Sequence, residues 1–224
     1  MNVKHELQSI ISRVGDHAAT NLICAATYHL RKSQETSRIT QEPEFTKEKE
    51  AEKLISWINQ NRLWFTTHDE SRFIASGAEQ RVYLHQDERY VYKLNDSIFY
   101  QYWADYFHSL LIHNYFFSET SYELIGFYQM GKSLYSVVKQ PFIEITEITK
   151  VESVKEFLNK NGFQLKKNND YFSPELGVIL EDLHDENVLT NNGIPFFILT
   201  YHFLISRKNQ ELLLSLASRS YTQR

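Results

Sequence analysis

An aspartate and an asparagine five positions apart, Asp182 and Asn187, sit in the stretch VILEDLHDENVL. At this spacing a carboxylate can accept the proton of an attacking hydroxyl while an amide oxygen holds a metal ion. The chemistry would be phosphoryl transfer. His184, two residues after the acid, could contact the transferred phosphate. Asp-x-x-x-x-Asn also arises by chance, and Asp185 and Glu186 read equally well as a solvated charge run. What favours chemistry is the setting, between apolar runs at 177–180 and 194–199.

Two upstream pieces fit the same chemistry. Gly77, in ASGAEQRV, marks the bend of a strand–turn–strand, and a loop covering phosphates needs a backbone that can approach oxygen closely. Taken alone it reads as an ordinary hairpin turn. Lys93, in VYKL, lies on a strand between apolar neighbours, with Val91 on the same face two residues earlier. Two readings stand: an apolar lid ending in a phosphate-binding charge, or an exposed edge lysine.

The elements that must position these residues follow from periodicity. Residues 3–14 carry Val3, Leu7, Ile10, Ile11 and Val14 at helical spacing. A second helix is expected over 17–32, a polar linker with Pro43 over 34–45, and a helix over 46–61 with acids in its first turn. Short β-rich runs follow at 72–76, 80–85 and 89–95. A helix with a broad buried face is expected over 97–114, then strands at 121–130 and 133–142 around a turn at Gly131. A helix over 150–160 stops at Asn161-Gly162. Strands at 177–180 and 194–199 and a helix at 208–218 complete the pattern.

Composition narrows the class. Hydrophobic residues at 42% and charged residues at 23% suit a packed globular protein, not a disordered one. A net charge of −4 argues against an extended nucleic-acid interface, which needs a basic face. With Cys24 as the single cysteine, no intrachain disulfide and no cysteine-based zinc site is possible. The N-terminus lacks the apolar core of a signal peptide, and no run approaches the roughly 20 apolar residues that span a bilayer. The expectation is a soluble cytoplasmic protein that binds neither nucleic acid nor membrane.

The stretches SGAEQRVYL, VYKLND, LLIHNYFF, YELIGF, VVKQPFI, LNKNGF, VILEDLHDENVL and GIPFFI, in that order over roughly residues 70 to 205, resemble the serine/threonine/tyrosine kinase-like domain of polyvalent proteins of phages and conjugative elements. The resemblance implies an α+β, reduced two-lobed protein-kinase-like fold. Residues 1–45 would be a helical extension and linker outside the nucleotide cleft, 46–142 a β-rich N-lobe with its preceding helix and hinge, and 143–224 an abbreviated C-lobe. It also implies ATP and Mg²⁺ as cofactors. Against the kinase loop pattern the middle glycine survives as Gly77, and Val82 takes the position that packs on the base. Val91 would share that apolar lid, Lys93 would pair with nucleotide phosphates, and Gln140, Pro141 and Phe142 would be the hinge touching adenine. Asp182 would be the base, His184 would contact the phosphate as in some small-molecule kinases, and Asn187 would be a Mg²⁺ ligand.

Two departures shape the functional expectation. The strand after the loop usually ends in a metal-binding aspartate, and here FFILT places Leu199 there. Leucine cannot ligate a metal. The helix over 97–113 offers Asp105 as its one acid, Glu119 lies beyond it, and His113 and Asn114 read first as packing or polar contacts. The expectation is therefore a nucleotide-binding, catalytically impaired kinase-like domain, a pseudokinase acting through a protein partner. The alternative is an active phosphotransferase on protein or small-molecule hydroxyls. Little chain separates Phe142 from Asn187, which disfavours a large peptide platform.

Overall fold

The computed structural model describes residues 3–12, 21–39, 46–78, 80–198 and 201–204, and shows a mixed α/β protein. It falls into two compact units, Ser9–Ile143 and Met1–Gln8 with Glu144–Arg224.

Helix α1 (Val3–Ser12) is followed in the first unit by α2 (Leu22–Ile39) and α3 (Lys47–Asn61). The expected polar linker is thus helical as far as residue 39, while 40–45 lie outside the described residues. Residues 33–36 are polar but contain no glycine or proline to stop a helix, and Gln34 is held by a hydrogen bond to the Glu50 carboxylate. Helix α3 starts where Thr46 Oγ1 accepts the Lys49 N–H. It ends at Arg62 in the left-handed conformation, φ 56°.

Strands β1 (Phe73–Ser76), β2 (Gln80–Leu84) and β3 (Tyr90–Asn95) come next, then α4 (Trp103–Phe116), β4 (Glu123–Met130) and β5 (Ser133–Pro141). They form an antiparallel sheet in the order β1-β2-β3-β5-β4. Alternation sorts its faces. Tyr83, Tyr92, Leu94 and Val137 pack on one side with Phe65, Ile125, Tyr128 and Tyr135. The other side carries Val91, Lys93 and Asn95 opposite Gln140, Val138 and Ser136. Helix α4 covers this side, where the Ser136 hydroxyl donates to the Tyr106 oxygen at 2.8 Å. Helix α2 packs on α4, α3 and β4.

Helix α4 begins six residues later than its apolar pattern suggests. Asn95 Oδ1 takes the Ser97 N–H at 2.7 Å, Ser97 sits at φ 57°, and Lys47 Nζ donates to the Ser97 and Tyr100 carbonyls. Those contacts hold 97–100 as a turn, and Ile98 and Phe99 are exposed.

The second unit contains α5 (Val151–Lys160), β6 (Gln164–Leu165), β7 (Tyr171–Ser173), β8 (Val178–Glu181), the hairpin β9 (Val188–Asn191) and β10 (Ile194–Phe197), and β11 (Tyr201–Leu204). A second sheet runs β11-β8-β7-β6. Its buried apolar residues include Val154 and Leu158 of α5, Phe163, Tyr171, Phe172, Val178, Leu180, Leu183, Val188 and Phe197. Strands β6, β7, β9 and β11 are absent from the sequence expectation, and the helix at 208–218 lies outside the described residues. Among the described residues no helix is long and apolar enough to cross a membrane.

Candidate functional site

In the first unit, register puts Val82 opposite Lys93 and Val91 opposite Gln140, so these four share the α4-facing side of the sheet. Lys93 lies on a central strand and is 3% exposed. The edge-lysine reading therefore falls: β3 is paired on both sides. Its ammonium stands 5.5 Å from the centre of the Tyr122 ring. Gln140 is buried and its amide donates to the Thr120 carbonyl at 2.7 Å. Pro141 ends β5, and the Phe142 N–H donates to the Arg89 carbonyl at 2.9 Å, leaving its ring exposed. Gly77 lies in the exposed turn between β1 and β2, its N–H donating to the Gln80 carbonyl, and an added Cβ there would meet no atom within 4 Å.

In the second unit, Asp182, His184 and Asn187 converge in the loop between β8 and β9. Asn187 is buried, and its Nδ2 donates to the Asp182 carbonyl at 2.8 Å and to the Asp182 carboxylate at 3.1 Å. The same Nδ2 lies 3.1 Å from His184 Nε2, so the amide nitrogen faces Asp182 and His184 and Oδ1 is left as the ligand atom that could meet a cation. The Glu186 N–H donates to His184 Nδ1 at 3.2 Å, and His184 Nε2 lies 3.4 Å from the Asp182 carboxylate. The Asp182 side chain is 53% exposed. It could accept a proton from a bound hydroxyl.

Asp182 adopts φ 61°, a left-handed conformation uncommon outside glycine. Its N–H donates to Asp170 Oδ1 at 3.0 Å, its carbonyl accepts the His184 N–H, and the next amide, Leu183 N–H, donates to the Asn169 carbonyl. The turn 166–170 thus holds the loop's entry. Asp170 and Asn169 were not evident from the D-x-x-x-x-N spacing, because their contacts go to backbone twelve or more residues along. Beside them, burial first and then the Asp170 and Asp182 charges push the Glu181 carboxyl up to about 7.

Leu199 lies outside the described residues. Among the described residues no group of three or more His, Cys, Asp or Glu side chains is arranged to hold a metal ion. Lys93 with its neighbours and Asp182 with its neighbours belong to different units.

A family model described as a serine/threonine/tyrosine kinase found in polyvalent proteins matches residues 47–205. The chain belongs to this kinase family. No curated protein and no solved structure matches it. Membership of the family suggests a kinase-like function and extends over both site-bearing segments, from β1 through the Asp182 loop.

Proposed function

We propose that this member of the polyvalent-protein kinase family is a nucleotide-binding domain of reduced two-lobed, protein-kinase-like design whose phosphotransfer is impaired: a cytoplasmic pseudokinase. In this reading 46–142 serves as the N-lobe, 143–224 as an abbreviated C-lobe and 1–45 as a helical extension. The observation that carries it is the burial of Lys93 on the same sheet face as Val82 and Val91. A buried ammonium beside an apolar row offers separate complements to a nucleotide's phosphates and to its base. ATP therefore suits these residues.

Mg²⁺ suits them less well. Asn187 Oδ1 is an oxygen ligand of the right kind, but a hard cation wants near-octahedral oxygen at about 2.0–2.1 Å. In the sequence, Leu199 stands where a carboxylate would complete that set. Bound Mg²⁺–ATP would supply the transferable phosphoryl group. The protein's own part would be to hold the phosphates through Lys93 and receive a proton on Asp182. A second reading, an active phosphotransferase on protein or small-molecule hydroxyls, is favoured by the half-exposed Asp182 carboxylate that Asn187 orients.

Calorimetric titration of ATP with and without Mg²⁺, beside a radiolabelled autophosphorylation assay, separates the two. The impaired reading expects ATP binding that Mg²⁺ barely strengthens, little or no turnover, and metal-dependent tightening in Leu199→Asp. Tight Mg²⁺–ATP binding and turnover in the unmodified chain, unchanged by Leu199→Asp, would establish the active reading. No ATP binding at all would end both.

A further inference from the structure

The pair His113-Asn114 lies near the end of α4, a helix whose one acid is Asp105, more than two turns earlier. His113 is 1% exposed. Its Nε2 lies 3.0 Å from the Thr120 carbonyl and 3.1 Å from the Thr120 hydroxyl. A carbonyl can only accept, so Nε2 carries the proton. The Thr120 hydroxyl donates to the Phe117 carbonyl at 3.3 Å and so accepts the same imidazole N–H. The Thr120 carbonyl also takes the Gln140 amide, which makes it a junction between α4 and β5. Asn114 grips the next turn of chain from both sides. Its Nδ2 donates to the Tyr122 carbonyl at 2.7 Å, and its Oδ1 accepts the Tyr122 N–H at 2.6 Å.

These contacts fix where the Tyr122 ring goes. Its centre lies 4.7 Å from that of the His113 ring and 5.5 Å from Lys93 Nζ. Burial, opposed by the Thr120 hydrogen bond and aided by the Lys93 charge, pushes the His113 imidazole down to about 3. The ring is thus neutral beside the ammonium, a donor that adds no like charge.

We propose that His113 is a positioning residue for Lys93: together with Asn114 it clamps segment 118–122 so that the Tyr122 ring faces the ammonium. The inference rests on the reading of Lys93 as the phosphate-binding cation. A ring face attracts an ammonium without neutralising it, whereas a helix-borne carboxylate would form an ion pair.

The test is NMR on the full, lysine-labelled chain without nucleotide. The Lys93 Cε methylene, assigned through Lys93→Arg, should be shifted upfield by the Tyr122 ring current and lose that shift in Tyr122→Leu. His113→Gln keeps an N–H able to reach the Thr120 carbonyl and should retain most of the shift; His113→Leu should lose it. Should His113→Leu not fold, Asn114→Asp replaces the donor to the Tyr122 carbonyl with a carboxylate oxygen at a half-buried site and should reduce the shift. Survival of the full shift in folded His113→Leu or in Asn114→Asp would overturn the proposal, as would equal loss in His113→Gln and His113→Leu. Titration with inorganic tripolyphosphate reads the other question separately. A Lys93 signal that obeys the variants but ignores tripolyphosphate keeps the positioning role and removes the phosphate-binding one.

Discussion

At the scale of single residues, the candidate loop combines a legible part and a hidden one. Asp182, His184 and Asn187 were readable from spacing, because their contacts lie within one short loop. The backbone state of Asp182 was not. A left-handed residue costs about 1–2 kcal/mol unless its side chain is Asn or Asp, whose short polar groups find local partners. Asp182→Asn should therefore leave the urea midpoint nearly unchanged, while Asp182→Ala should destabilise the second unit by about 1 kcal/mol. Equal midpoints for the two variants would mean that the conformation carries no such cost. Asp170 acts on the same backbone through its carboxylate. The clue available in the sequence was Asn168-Asn169-Asp170, a run rich in types that tolerate the left-handed region; Asn168 and Asn169 adopt it, at φ 50° and 64°.

At the scale of elements, β1 to β5 were legible from alternation, and α3, α4 and α5 from helical spacing. The errors fall where a side chain from elsewhere decides the local state. Residues 97–100 look helical by pattern, yet Lys47 takes their carbonyls. Strands of two to four residues, such as β6 and β7, are too short to show a period. Hairpin β9–β10 did carry a signal, Asn192-Gly193 with both φ positive. The start of α4 is likewise set from a distance: buried Glu50 of α3 accepts the Trp103 N–H at 2.5 Å and the Ala104 N–H at 3.4 Å. Burial raises its carboxyl, and hydrogen bonds from those amides and from Gln34 oppose the rise. Glu50→Ala leaves those amides unsatisfied in the interior and should cost about 1–3 kcal/mol in denaturant unfolding. Glu50→Gln, which keeps an acceptor oxygen, should cost less; the reverse order would refute the capping role. A second anchor is Gly126, at φ 155°, where a Cβ would sit 2.8 Å from the Leu63 carbonyl oxygen. Segment 63–65 hydrogen-bonds to Phe127 there, so Gly126→Ala should displace that segment from β4. Accelerated hydrogen exchange at the Phe65 and Phe127 amides would report it.

At the scale of the whole molecule, family and broad class were legible because the quoted stretches keep their order along the chain. The division after Ile143 follows from packing that composition does not display. Each unit has its own electrostatic balance, and the first should be sensitive to acid. In the unfolded chain a histidine titrates near 6.5, whereas His113 is held down to about 3 and His108, by burial and the Arg31 charge, down to about 4. Between those values the unfolded state binds protons that the folded state refuses, so stability is full above about 6.5 and falls as pH drops. Glu50 and Asp105, both raised by burial, act in the opposite sense. The loss through the histidines sets in as the pH falls through about 6.5. Moving from pH 7 to 5.5 should cost the first unit about 1 kcal/mol through His113 alone. His113→Gln keeps a donor for Thr120 and cannot titrate. Its urea-unfolding free energy should fall by about 1 kcal/mol less than that of the unmodified chain over the same interval. Parallel pH profiles for the two proteins would mean that His113 accepts a proton in the folded state, and that the neutral imidazole beside Lys93 is wrongly assigned.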